Sequence, residues 1–495
     1  MILYVLFTTW NFVSLDRSRE TVPSTRLDSS DETAVADPQY ANKPQPTSVE
    51  TMERLQTLTG SRIWPYLDHD RHKAYVRQLV AEVDARPEQP LSPATQRLKD
   101  AIETKSHLYM YFTEMFTQIP DDVRYGDNQT VLRDYNHMLR LLSHIVTTAP
   151  PPGLGVPLPP MAMILTDPAN TASGYAAFSD PEVNVLLKGI LNEWAAFLGS
   201  PDSLAYVKNG STGWLGKDSL AELESVANLE PGTKVSFADL FECDAEDEYY
   251  GFRSWDGKSN FFTRRFRPHV RPVAEPHDDG VIVNACESVP HTVGLRARLR
   301  DTFFVKAQPY SVLDMLGPDD AVTAAAFDNA TVYQAFLSLH SYHRWHAPVA
   351  GTIRSARVVD GTYYSLPRFF GLDQPGVTFP RKPQGFGHAM RYLSEMATRA
   401  VIVIEADNRD LGLVAFVAVG MVEISTCEIT ATVGKHVKKG DEIGSFHFGG
   451  SSYVLLFQDG VELAGLPEPG NFSSPNMPVL SKIATVSSRR LTLQG

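Results

Sequence analysis

Ala400-Val401-Ile402-Val403-Ile404-Glu405-Ala406-Asp407 and, after the turn Asn-Arg-Asp-Leu-Gly, Leu413-Val414-Ala415-Phe416-Val417-Ala418-Val419-Gly420 are the stretch whose reading decides the fold. Two short runs rich in β-branched residues, broken by glycine and aspartate, read as neighbouring strands. The same texture recurs at 280–285 (GVIVNA), 351–359 (GTIRSARVV) and 452–457 (SYVLLF), so the chain beyond about residue 280 is expected to be mostly β-sheet. From about 51 to 240 the apolar spacing is helical instead. Leu67, Val76, Leu79, Val80 and Val83 share one stripe. Leu98, Ile102, Leu108, Phe112, Met115 and Phe116 form a second, and Leu132, Tyr135, Met138, Leu139, Leu142 and Ile145 a third. A further helix is expected from Pro181 to Leu198. The proline run at 149–160 cannot continue a helix, because proline lacks the amide donor, and predicts an extended connector.

Residues 16–50 are rich in Ser, Thr, Pro and charge and nearly free of bulky apolar side chains, so they predict a disordered leader. The division expected is a leader over 1–50, a helical domain over 51–240 and a β-rich catalytic domain over 241–495, an α+β protein. Within the last part, His346-Ala-Pro-Val-Ala-Gly-Thr-Ile with Val358-Val-Asp-Gly-Thr-Tyr has the rhythm of Glu428-Ile-Thr-Ala-Thr-Val-Gly with Val437-Lys-Lys-Gly-Asp-Glu-Ile-Gly. That pattern resembles the flattened β-sandwich of biotinyl and lipoyl carriers. The modified lysine of a carrier, flanked by Met or by Asp and Ala, is absent, so a sandwich is expected without the carrier function.

The 495 residues hold 45 basic and 58 acidic side chains, a formal charge of −13. Such a surface repels phosphate backbones and anionic headgroups, which argues against nucleic acid and against electrostatic membrane docking. Three widely spaced cysteines provide neither a disulfide framework nor a zinc site and suit a reducing compartment. The apolar start, residues 1–15, has no preceding basic residue and is shorter than a spanning helix needs. A cytoplasmic location is expected, with membrane association through residues 1–15 as the alternative.

Three local features bear on chemistry. Tyr342-His343-Arg344-Trp345-His346-Ala347-Pro348 places two imidazoles three residues apart, and Pro348 argues for a turn or strand end rather than a helix. Phe446-His447-Phe448-Gly449-Gly450-Ser451-Ser452 reads first as a turn, yet a glycine before a serine is also what self-cleavage needs: without a Cβ, Gly450 lets the Ser451 hydroxyl approach its carbonyl. Val283-Asn284-Ala285-Cys286-Glu287-Ser288 ends an apolar strand on a carboxylate.

Taken together and in order, these segments resemble the phosphatidylserine decarboxylase proenzyme family. His343 to Pro348 match its His-Arg-x-His-x-Pro element. Lys439-Gly440-Asp441-Glu442-Ile443-Gly444-Ser445-Phe446, then Gly450-Ser451-Ser452, match its Lys-Gly and Gly-Ser element with one extra residue. Phe261-Phe262-Thr263-Arg264 through Pro268, Arg271-Pro272, and Lys306 with Tyr310-Ser311-Val312 resemble three further segments. Where the family has Ser-Pro-Ala-Asp-Gly, this chain has Asn284-Ala285-Cys286-Glu287-Ser288. That change, with Glu405-Ala-Asp-Asn and Glu423-Ile-Ser-Thr-Cys, is similar to a fungal branch that includes the L-tryptophan decarboxylase of psilocybin biosynthesis.

The resemblance implies a zymogen that cuts itself between Gly450 and Ser451, converting Ser451 to a covalent pyruvoyl group, with no PLP and no metal. It implies His346 as the base for the Ser451 hydroxyl, oriented by Glu287, and His343 as the proton donor to the substrate carbon. The large chain and the fragment 451–495 are expected to stay associated. A free L-amino acid, aromatic like tryptophan, is the substrate expected from the acidic surface and the missing docking helix. Phosphatidylserine, as in phospholipid biosynthesis, is the alternative, and a binding protein that has lost the chemistry is the reading from outside the enzyme class.

Overall fold

The chain is seen as a computed structural model that describes residues 69–489 apart from 120–131, 153–158, 170, 209, 211–212, 230–231, 257–259, 301–310, 366–389, 422, 424, 448–450 and 471–473. The leader over 1–50, the apolar start 1–15, Gly450, Lys306 and Tyr310 lie outside the described residues.

The helical part holds α1 (His69–Asp84), α2 (Pro93–Thr104), α3 (Ser106–Thr117), α4 (Tyr135–Ile145), α5 (Pro160–Ala169), α6 (Ala172–Ser179), α7 (Pro181–Leu198), α8 (Lys217–Ala227) and α9 (Phe237–Leu240). The expected helix at Pro181 occurs with those bounds. Asp180 caps it by accepting from the amides of Glu182 and Val183, and Pro181 fills the first turn, where no amide partner exists. The second apolar stripe, in contrast, is two helices broken at Lys105, which adopts an extended conformation. The break has a geometric reason. At about 100° per residue, Ile102 and Leu108 would lie about 120° apart on one continuous helix, yet both are fully buried. The connector 149–160 ends in α5, and its proline carbonyls are used as acceptors: Pro150 takes the Trp214 indole N–H at 2.8 Å and Pro152 the His340 ring Nε2 at 3.0 Å.

The rest is mostly strand, interrupted by short helices at Val312–Leu316, Ala321–Ala325 and Met390–Met396: β1 (Val281–Val283), β2 (Val289–Ala297), β3 (Ala330–Leu337), β4 (Arg344–His346), β5 (Gly351–Val359), β6 (Arg399–Ala406), β7 (Leu413–Val419), β8 (Thr426–Ile429), β9 (His436–Val437), β10 (Glu442–His447), β11 (Ser451–Phe457), β12 (Val461–Ala464) and β13 (Lys482–Arg489). A seven-stranded sheet runs β2-β3-β11-β7-β6-β5-β9, and two three-stranded sheets run β4-β10-β8 and β1-β13-β12. All the ladders are antiparallel, so the α+β expectation holds. The two similar half-segments pair crosswise, β4 with β10 and β5 with β9.

The central strands are buried along nearly their whole length because both faces of the large sheet are covered. Successive side chains alternate between faces. Val401, Val403, Ala415, Val417, Val454 and Leu456 join an apolar cluster that continues through the helices from Leu79 to Trp255. Ile402, Ile404, Phe416, Tyr453 and Leu455 face the other way and meet Trp345, Ile443 and Phe446 of the small sheet. The helical part therefore packs on one face and β4-β10-β8 on the other. The helices are also stitched to the strands by Glu423, whose buried carboxylate accepts from the first amides of α5, Met161 at 3.3 Å and Ala162 at 2.7 Å. Burial pushes that carboxyl up to about 8.

Candidate active site

Ser451 opens β11, an inner strand of the large sheet between β3 and β7, and is flanked by Leu337 of β3. Its register puts it on the side of Tyr453 and Leu455, facing the small sheet. It is fully buried, and its hydroxyl has no hydrogen-bond partner among the described residues. Such orphans are rare in folded proteins and call for a reason.

His343 supplies a matching one. Its backbone carbonyl accepts from Phe446 of β10 at 2.9 Å, which extends the β4–β10 ladder by one residue. The ring is completely buried, stacks on Phe262 at 4.3 Å and leaves both nitrogens without a partner among the described residues. The Ser338 carbonyl favours a charge on it without reaching bonding geometry, and Ser338 directly follows Leu337, the ladder partner of Ser451. Burial first, and then the Arg264 charge, hold the imidazole well below its ordinary value, so it is neutral at pH 7.

His346 is committed elsewhere. Its Nδ1 is 2.8 Å from the Gly440 carbonyl and its Nε2 is 3.0 Å from the Tyr342 hydroxyl. A carbonyl only accepts, so Nδ1 carries the proton and Nε2 receives the tyrosine O–H. Glu287 does not reach it. The Glu287 carboxylate, 1% exposed, takes two donors from Arg271 at 2.5 and 3.0 Å and the Val479 amide at 2.7 Å. Burial raises its carboxyl, opposed by the Arg271 pair. The pairing of His346 with Glu287 expected from the resemblance is therefore absent from this structure, and the physical reason is competition: the nearby guanidinium is a stronger partner for a buried carboxylate than a neutral ring. Ser451 pairs with Leu337, and the carbonyl of the next residue, Ser338, acts on the His343 ring, whereas His346 is engaged by Gly440 and Tyr342 and Glu287 by Arg271 and Val479.

Several further residues hold the site in shape. Lys439 is buried and donates to the carbonyls of Glu275, Asp278 and Val281, while Gly440 turns with φ at +91°, where a Cβ would meet Val273 at 2.6 Å. That accounts for the Lys-Gly pair. Arg344 joins Thr263 to Glu442. His447, the last residue of β10, sits between Asp256 at 2.8 Å and Glu428 at 2.9 Å. Burial alone would lower its value, but the two carboxylates carry it up to about 9. The motif made Lys439 and Gly440 visible in sequence, whereas Asp256 and Glu428 lie too far away along the chain to be paired with His447 by spacing.

Two family models, both described as phosphatidylserine decarboxylase, match residues 92–223 and 259–474. Decarboxylase iboD of Amanita muscaria is 40% identical over 306 residues, 60% of this chain and 83% of that protein. The chain belongs to the phosphatidylserine decarboxylase family. An L-tryptophan decarboxylase of Psilocybe cubensis is 35% identical over 73% of this chain and 79% of its own length. Phosphatidylserine decarboxylase proenzyme 3 of Schizosaccharomyces pombe is 27% identical over 48% of this chain and 22% of its own. The protein is thus a carboxy-lyase of a pyruvoyl-dependent family. No helix among the described residues is long and apolar enough to cross a membrane.

Proposed function

We propose that the chain is a zymogen that cuts itself between Gly450 and Ser451, turns Ser451 into a pyruvoyl group and then decarboxylates a free aromatic L-amino acid such as tryptophan. The observation that supports this reading is that the Ser451 hydroxyl and the neutral His343 imidazole are both buried and without a partner among the described residues, on segments linked through Leu337 and Ser338. An orphaned serine at the start of a central strand fits a residue that is to become the prosthetic group. Neither PLP nor a metal is assigned a part.

In maturation, His343 accepts the Ser451 proton as Oγ attacks the Gly450 carbonyl; the acyl group moves from nitrogen to oxygen. Elimination across Cα–Cβ then frees the Gly450 carboxylate, and hydrolysis releases ammonia. This moves the base from His346, where the resemblance suggested it, to His343, because the Nε2 lone pair of His346 is occupied by Tyr342. His346, Tyr342 and Glu287 hold the surrounding strands. The pyruvoyl ketone condenses with the substrate amine and takes up the electrons left by the departing carboxylate. His343, neutral at rest, receives the proton that the substrate ammonium must shed and returns it to the α-carbon. The dry surroundings favour loss of the carboxylate charge.

The 45-residue fragment 451–495 stays bound because β11 is bonded on both sides, to β3 and β7, and β13 pairs with β1. The relatives named for tryptophan and the acidic surface support a free amino acid, and three unpaired cysteines support a cytoplasmic location.

Denaturing electrophoresis and mass spectrometry test the first part. Wild type yields two chains, Ser451→Ala one, and His343→Gln one, while His346→Gln still cleaves. Cleavage lost in His346→Gln and kept in His343→Gln returns the base to His346, and an active unbroken chain with serine at 451 ends the proposal. Carbon dioxide release from L-tryptophan, L-phenylalanine or L-tyrosine, set against phosphatidylserine vesicles, tests the second. Release from vesicles alone replaces the substrate with the phospholipid.

A further inference from the structure

We propose that Arg264 is a positioning residue, the fixed positive charge against which His343 exchanges its proton. Arg264 is 4% exposed, yet among the described residues no carboxylate lies within ion-pair distance of it. One terminal nitrogen donates to the His340 carbonyl at 2.9 Å, the other approaches the Phe261 carbonyl at 3.5 Å, and Nε has no partner. The guanidinium lies over the rings of Phe241, Phe261 and Phe237 at 4.5, 5.4 and 5.7 Å. Aromatic faces offset part of the lost hydration. They do not neutralise the charge, and a core built for stability alone would place a methionine or leucine in such a cage.

Its placement supplies the reason for a charge. Phe262, two residues before Arg264, stacks on the His343 ring, and His340, three residues before His343, receives the Arg264 donor. Arg264 is therefore tied to the histidine's segment from both sides. The groups that face His343 are few. Arg264, His340 and His447 each oppose a positive charge on it, and the Ser338 carbonyl favours one. The charge on His447 is balanced by Asp256 and Glu428, and His340 is itself held low by burial. Glu287, the carboxylate nearest in influence to Arg264, is already satisfied by Arg271 and Val479. Arg264 is the uncompensated charge of the set.

This inference rests on the reading of His343 as proton shuttle. When carbon dioxide leaves, an electron pair remains on the α-carbon. The N–H bond of His343 breaks, a C–H bond forms, and the ring returns to neutral with no other reagent consumed. A nearby fixed cation makes that delivery easier, because it raises the energy of the imidazolium and not of the neutral ring.

The test uses the full chain carrying Ser451→Ala, labelled with nitrogen-15 in histidine, so that neither cleavage nor turnover is required. In that background the His343 midpoint lies well below that of an ordinary histidine, Arg264→Met raises it by about one to three pH units, and Arg264→Lys leaves it low. An unchanged His343 midpoint in Arg264→Met overturns the proposal. Should the methionine variant fail to fold, a normal histidine titration in Arg264→Lys overturns it equally. With Ser451 restored, Arg264→Met shifts the acidic limb of the kcat profile in the same direction and Arg264→Lys rescues it. If the labelled histidine responds as stated but no pyruvoyl chain forms, the proposed function fails and the electrostatic role of Arg264 stands.

Discussion

Glu287 offers the sharpest separation between a strut and a catalytic carboxylate. Replacing it with leucine removes both carboxylate contacts of Arg271, which keeps the carbonyls of Ala227 and Val270, and removes the acceptor of the Val479 amide. Breaking one side of a buried pair costs about 3–5 kcal/mol, and the lower end applies here because the Arg271 side chain is 12% exposed. The stranded Val479 amide adds about 1–3 kcal/mol, for a total of about 4–6 kcal/mol in Glu287→Leu. That is comparable to the whole stability of many domains. Changing Arg271→Met as well removes the stranded charge, leaving only the amide, so the double variant should sit about 1–3 kcal/mol below wild type. Guanidinium unfolding followed by tryptophan fluorescence, in the uncleaved Ser451→Ala background, measures these differences, and electrophoresis of the Ser451 forms measures cleavage. The single variant should be unstable and poorly processed, and the double variant stable and processed. A double variant that regains stability yet never cleaves would refute the reasoning, since it would show that the carboxylate acts on a histidine and not on Arg271.

Two other outcomes follow from named contacts. His447 has a folded value of about 9 against an ordinary one near 6.5, so its stabilisation is full below about pH 6.5 and fades as pH rises through about 9, by at most about 3 kcal/mol; His447→Asn should remove this part of the pH dependence, and parallel wild-type and variant curves would contradict the assignment. Gly444→Ala would push a Cβ to 2.4 Å from both the Glu428 carbonyl and the Trp345 ring, so the β4-β10-β8 sheet should lose about 1–3 kcal/mol or more, read as a lower unfolding midpoint; an unchanged midpoint would mean that Trp345 does not pack against this strand.

The sequence by itself determined the element types, because those depend on period. Val401 to Ile404 and Val414 to Val419 announce strands, and the Leu132 to Ile145 stripe a helix, through spacing that any partner surface would have to respect. It also marked Ser451, His343 and the Lys439-Gly440 turn, since motif chemistry is local. The break at Lys105 was not visible, because it follows from which side of each helix has something to pack against. The division of labour at the site belongs to tertiary structure alone. Two histidines three residues apart look alike in sequence, and what separates them is that Gly440 and Tyr342 occupy one ring while the other is left dry and unpartnered. Glu287 likewise carries no sign of its partner, for the competition between Arg271 and an imidazole is decided by distances in space, and that Arg264 has no carboxylate beside it among the described residues is equally a matter of folding.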